Sequence, residues 1–166
     1  DAGLIGHHAG LAEARGRGKR GNVAQAPASA YYERMNIAED YADLDERTQG
    51  IRLHDAAAFA GMRAAGRLAA EALDMLVPHV VPEALTIDLD EMVRNFVLDR
   101  GAVPATIFYR GYSHSSCISI NHVVCHGIPG AKRLKDGDIV NIDVTVVVDG
   151  WHGDTSRMFL VGDVGV

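Results

Sequence analysis

The chain has 166 residues, of which 48% are apolar and 23% charged, values typical of one globular domain able to bury a real core. Its net charge of −6 argues against general nucleic-acid binding, which favours a basic surface, and its two cysteines, Cys117 and Cys125, are too few for a disulfide framework and suit a reducing compartment. The best apolar run, 68–81, is broken by Glu71, Asp74, Pro78 and His79, so no segment reaches the ~20 residues that span a bilayer.

Residues 1–30 are rich in Gly and Ala, poor in acids, and carry Arg15, Arg17, Lys19 and Arg20. So few large apolar groups cannot offset the entropy of ordering, and the segment is expected to be disordered. A basic nucleic-acid arm and an Arg-rich organelle transit peptide are the functional readings of such a stretch; a plain unstructured tail is the simplest. There is no secretory h-region. The first residue is not Met, which points to a fragment or a processed product. Residues 31–50 are acidic and weakly patterned and read as linker, leaving 51–166 as the folded part.

From Asp55 to Val77 the spacing predicts a helix with an apolar stripe of Phe59, Met62, Ala65, Ala69, Leu73 and Leu76, ended by Pro78. Small residues around Gly66 would allow close packing. A second helix is predicted from Thr86, as N-cap, to Arg100, with Leu89, Val93, Phe96 and Val97 on its core face and Gly101 just beyond. Residues 105–112, 116–124, 138–148 and 151–161 are rich in Ile, Val, Thr, Tyr and Phe and predict strands. The order implies an α+β fold, an antiparallel sheet with two helices packed on one face.

Asp149-Gly150 between two alternating runs is the pattern of a two-residue type I′ turn. That turn would set Val148 against Trp151, Thr145 against Asp154 and Asp143 against Ser156. Because side chains alternate, Asn141, Asp143, Thr145, His152, Asp154 and Ser156 would share one face, with Val140, Ile142, Val144, Val146 and Val148 on the other. Asp143 and Asp154 become diagonal neighbours, within about 8 Å at Cβ. Like charges this close raise one pKa or demand a cation, and two divalent ions ~3.5–4 Å apart are a standard hydrolytic device. A solvated polar face with two incidental acids is the plain alternative.

Three long stretches carry a family resemblance: 116–129 (Ser-Cys-Ile-Ser-Ile-Asn-His-Val-Val-Cys-His-Gly-Ile-Pro), 134–145 (Leu-Lys-Asp-Gly-Asp-Ile-Val-Asn-Ile-Asp-Val-Thr) and 149–159 (Asp-Gly-Trp-His-Gly-Asp-Thr-Ser-Arg-Met-Phe). Together with 62–70 upstream, they resemble the type I methionine aminopeptidases, over roughly residues 51–164. The resemblance implies the pita-bread fold, two pseudo-symmetric α+β halves around a central site, of which this sequence matches the first. It implies a pair of divalent ions (Co, Mn, Fe or Zn) with five protein ligands. Asp143 matches an aspartate chelating one ion and Asp154 the aspartate bridging both; one His and two Glu would come from a second half that this sequence has no positions to carry. His126 matches a histidine contacting substrate near the scissile bond. Tyr109, Tyr112 and Cys117 match walls of the methionine side-chain pocket, where a thiol or an aromatic ring suits a thioether. Asn121 and Val123 fall where some members bind a monovalent cation. The sequence departs from the usual pattern at Ser113 and His114, where Pro-Lys is common, and at Glu83, usually glycine.

The implied reaction is removal of the initiator methionine from nascent polypeptides, near the ribosome, by a cytoplasmic monomer, with an organellar location as the lesser option. With two of five ligands, the chain alone is expected to be inactive. A non-catalytic pita-bread module that grips peptides or ribosomes is the competing function. A bare fragment exposing apolar surface, prone to dimerise or aggregate, is a third reading.

Overall fold

The computed structural model describes residues 54–107 and 109–165; the expected extension, 1–50, lies outside the described residues. Among the described residues, two helices, α1 (Ala56–Leu76) and α2 (Thr86–Leu98), accompany four strands, β1 (Val103–Pro104), β2 (Cys117–Ile120), β3 (Ile139–Val148) and β4 (Trp151–Leu160). All pairings are antiparallel. The long strand β3 is central. Its whole length pairs with β4, so β2, on residues 140–143, and β1, on 146–147, share its other edge. Both helices contribute to one core with the same sheet face: Leu73, Leu76, Leu89, Val93 and Val97 pack with Val140, Ile142, Val144 and Val146. This is the predicted α+β arrangement.

Asp55 caps α1, its carboxylate accepting from the Ala58 N–H at 2.9 Å, a contact worth about 1 kcal/mol. Val77 closes the helix before Pro78. The buried stripe runs Ala58, Ala65, Leu68, Ala69, Ala72, Leu73 and Leu76. Phe59 and Met62, expected in the core, are instead 55% and 49% exposed. The reason is a near approach of backbones. A Cβ added at Gly153 of β4 would overlap the main chain of Ala65, and one at Gly61 would overlap the Trp151 indole. Only small residues fit between α1 and the sheet there, which rotates the large side chains outward. Arg157 of β4 ties the same helix by an ion pair to Asp74 at 2.8 Å.

Two further expectations need correction. Thr86 is the first helical residue rather than the cap; Leu85 holds the cap position without a side-chain bond. The Thr86 hydroxyl is engaged elsewhere, donating to Gly130 O and accepting from Gly130 N, both at 2.9 Å. Residues 105–107 and 109–112 are not strand: after the two-residue β1, the chain forms a short helical turn at Tyr109–Gly111, with φ +49 at Arg110 and φ +84 at Gly111. Thr106 anchors this return by donating to His114 O at 2.7 Å. Beyond α2, Gly101 takes the left-handed φ of +71 that its position suggested.

The close helix–sheet approach gives a paired prediction. Gly153→Ala should cost about 2 kcal/mol through overpacking and lower the thermal midpoint by several degrees. Gly66→Ala, which meets open space inside α1, should raise the midpoint by removing about 0.5–1 kcal/mol of glycine penalty. Circular-dichroism melts that show equal shifts for both would contradict the packing described.

Candidate metal centre

Asp149 and Gly150 have φ of +48 and +83, the two positive values a type I′ turn requires. Val148 then pairs with Trp151, Thr145 with Asp154 and Asp143 with Ser156, the register predicted. Cys117 and Ser119 of β2 pair with Asp143 and Asn141 and join the same face. That face is opposite the helices. Asp143 is half-buried on it and Asp154 exposed. Thr145 donates to Asp154 Oδ1 at 2.8 Å, which fixes that carboxylate's rotamer.

The electrostatics reflect two acids sharing a site. Burial, and then the charge of Asp154, push the Asp143 carboxyl above the ordinary carboxylate range; His126 and the Val144 N–H pull it back. His126 comes from the 121–130 loop, not from a strand. It has the uncommon φ of +54. Gly127 next to it docks the loop onto β2: its carbonyl accepts from Ile118 N at 2.8 Å and its N–H donates to Ser119 Oγ at 3.0 Å. A side chain at Gly127 would overlap the Ile118 carbonyl. Gly127 and Ser119 are therefore what hold His126 near Asp143, and neither stood out in the sequence except as the glycine after a histidine.

The other candidate residues divide. Cys117 is buried beside Asp143; burial pushes its thiol up. Tyr112 donates its Oη to Ser116 O at 2.8 Å and reaches Cys117, and burial drives its phenol far above the usual range. Both stay neutral, giving an uncharged wall next to the carboxylates. Tyr109 does not join them: it is 65% exposed, with the Arg110 guanidinium 5.3 Å from its ring centroid. Asn121 closes the end of the sheet, donating to Asp138 Oδ1 at 2.8 Å and accepting from Ile139 N at 3.0 Å. Val123, half-buried, donates its N–H to Ile120 O at 3.1 Å.

Two converging carboxylates, one with its proton affinity raised by the other's charge, have the donor chemistry for a divalent cation. The donor number falls short of a complete shell. Among the described residues, no three His, Cys, Asp or Glu side chains form a group able to hold a metal ion.

Residues 60–165 match the model of metallopeptidase family M24. A methionine aminopeptidase of Rickettsia prowazekii is 56% identical over 116 residues, 70% of this chain and 45% of that protein. One from Escherichia coli strain K12 is 60% identical over 103 residues, 61% of this chain and 39% of that protein. The crystal structure of the methionine aminopeptidase from Rickettsia prowazekii superposes with a TM-score of 0.69, covering 70% of this chain and 47% of that one. The chain thus spans a little under half the length of these relatives.

The raised Asp143 carboxyl sets a pH dependence. In the folded protein Asp143 keeps its proton to higher pH than in the unfolded chain, so stability falls as pH rises from the ordinary carboxylate range through the raised value. Asp143→Asn should remove that fall and give a higher thermal midpoint than wild type at pH 7 in chelator, while matching it near pH 3. Parallel curves for the two proteins would show that Asp143 is not strained.

Proposed function

The chain belongs to metallopeptidase family M24, and on that premise we propose that it supplies the aspartate half of a two-metal site that removes the initiator methionine from nascent polypeptides. The observation that carries this is the shared sheet face on which Asp143 and Asp154 meet, with His126 held beside them. In this reading Asp143 and Asp154 would together hold a pair of divalent ions, drawn from Co, Mn, Fe or Zn. Bound ions of this kind supply Lewis-acid activation of water and of the scissile carbonyl.

The chain's own groups do the rest. Thr145 keeps one oxygen of Asp154 engaged, which orients the other. His126, on its left-handed residue, faces the scissile bond and stabilises the developing charge or the leaving amine. Tyr112 and Cys117 form a neutral wall for the methionine thioether. Asn121 and Val123 would hold a monovalent cation. The substrate is the N-terminus of a growing chain near the ribosome, the working protein is a monomer, and the compartment is the cytoplasm. No described helix is long and apolar enough to cross a membrane.

Two acids alone bind a metal pair weakly, so the 166-residue chain by itself should not hydrolyse Met-Gly-Met-Met with added Co²⁺ or Mn²⁺. Joined to the C-terminal half of the Rickettsia prowazekii enzyme, it should do so. In that chimera His126→Ala should lower kcat by about 10²-fold or more, and Asp143→Ala or Asp154→Ala should abolish turnover. A chimera that folds, binds metal and stays inactive would refute the proposal.

A further inference from the structure

Asp90 lies on α2, away from the metal face, yet it is a carboxylate only 4% exposed. Its place in the sequence is unusual: it falls on the buried stripe that also carries Thr86, Val93 and Val97. One oxygen, Oδ1, accepts three bonds: from Ser115 N at 3.0 Å, Ser116 N at 2.8 Å and Ser116 Oγ at 2.6 Å. Its other oxygen stands 3.4 Å from His114 Nδ1. Each route leads to the same wall. The Ser116 carbonyl accepts from Tyr112 Oη at 2.8 Å, and Ser116 leads directly into Cys117 and β2. His114 meets the Tyr112 ring edge-on at 5.7 Å.

We propose that Asp90 is a positioning residue for the methionine side-chain wall: its buried carboxylate fixes the 114–116 segment and, through it, Tyr112 and Cys117. The proposal rests on reading those two residues as that wall. A buried acid is costly unless fully bonded, and the donors it serves would be orphaned without it. Removing the carboxylate therefore releases this segment first, while the sheet and the Asp143–Asp154 hairpin keep their own ladder of bonds. His114 sets an imidazole against the same carboxylate.

The test is the alkylation rate of Cys117 by iodoacetamide in the full chain, read by peptide mass spectrometry with Cys125 as internal reference. Asp90→Ala should speed Cys117 by about tenfold or more, the factor for one lost charged hydrogen bond, with Cys125 unchanged. Asp90→Asn keeps an oxygen for both backbone N–H groups and should stay within about threefold of wild type by the same arithmetic. Val93→Ala, a cavity on the same helix, controls for simple destabilisation and should leave Cys117 slow. Wild-type labelling in a folded Asp90→Ala variant, equal labelling in Asp90→Asn and Asp90→Ala, or equal acceleration in Val93→Ala would each overturn the proposal. Should Asp90→Ala fail to fold, Ser116→Ala removes only the 2.6 Å hydroxyl bond; it should label at an intermediate rate, and a wild-type rate would be contrary. Methioninol should slow Cys117 alkylation in the wild type. Absence of that protection counts against the wall as a methionine site and leaves the variants to judge Asp90.

Discussion

A two-residue type I′ turn sets both central residues at positive φ, and the pairing of the two carboxylates follows from Asp149 and Gly150 accepting that geometry. The turn fixes the pairing of β3 with β4 along ten residues each. A slip of one residue would send Asp154 to the helix side of the sheet, where α1 leaves no room beyond a glycine at 153. The apolar face of β3 and the carboxylates of the other face therefore enforce one another. Burying Val140, Ile142, Val144 and Val146 under the helices is what turns Asp143 to the open side.

The cost of that arrangement is visible in the site itself. Asp143 sits half-buried beside a like charge, and its carboxyl is pushed up by burial and by Asp154. Nothing in the stability of the hairpin asks for an acid there; valine or threonine would suit a strand better. Strain of this kind is retained where a cation relieves it, which is the physical content of the metal reading. His126 adds a second locally unfavourable feature, a left-handed histidine, held by Gly127 bonding to Ile118 and Ser119. Two unfavourable local choices converge on one spot of the open face.

Much of this was legible in the chain of residues alone. The Asp-Gly turn announced its own type, and alternation then placed Asp143 and Asp154 with no further information. The first helix was equally plain, from Asp55 to the stop at Pro78. What sequence pattern missed was set by contacts distant along the chain. Phe59 and Met62 fit a helical stripe, but the backbone approach at Gly153 turned the helix about its axis. Thr86 looked like a cap, but Gly130, 44 residues on, claimed its hydroxyl. Residues 105–112 have strand composition, yet Arg110 and Gly111 turn left-handed and Thr106 bonds back to His114. Asp90 carried a signal that could have been read, an acid on an apolar stripe, but its partners at 115 and 116 could not be.

A metal centre on this sheet face requires Asp143 and Asp154 to act as one cation-binding unit. The direct measurement is carboxyl-detected carbon-13 NMR of the chain during titration with Zn²⁺. The two carboxyl signals should move together along a single binding curve, with Asp74, Asp90 and Asp138, which are engaged elsewhere, staying still. Separate curves for residues 143 and 154, or a response from other acids with none from these two, would contradict it.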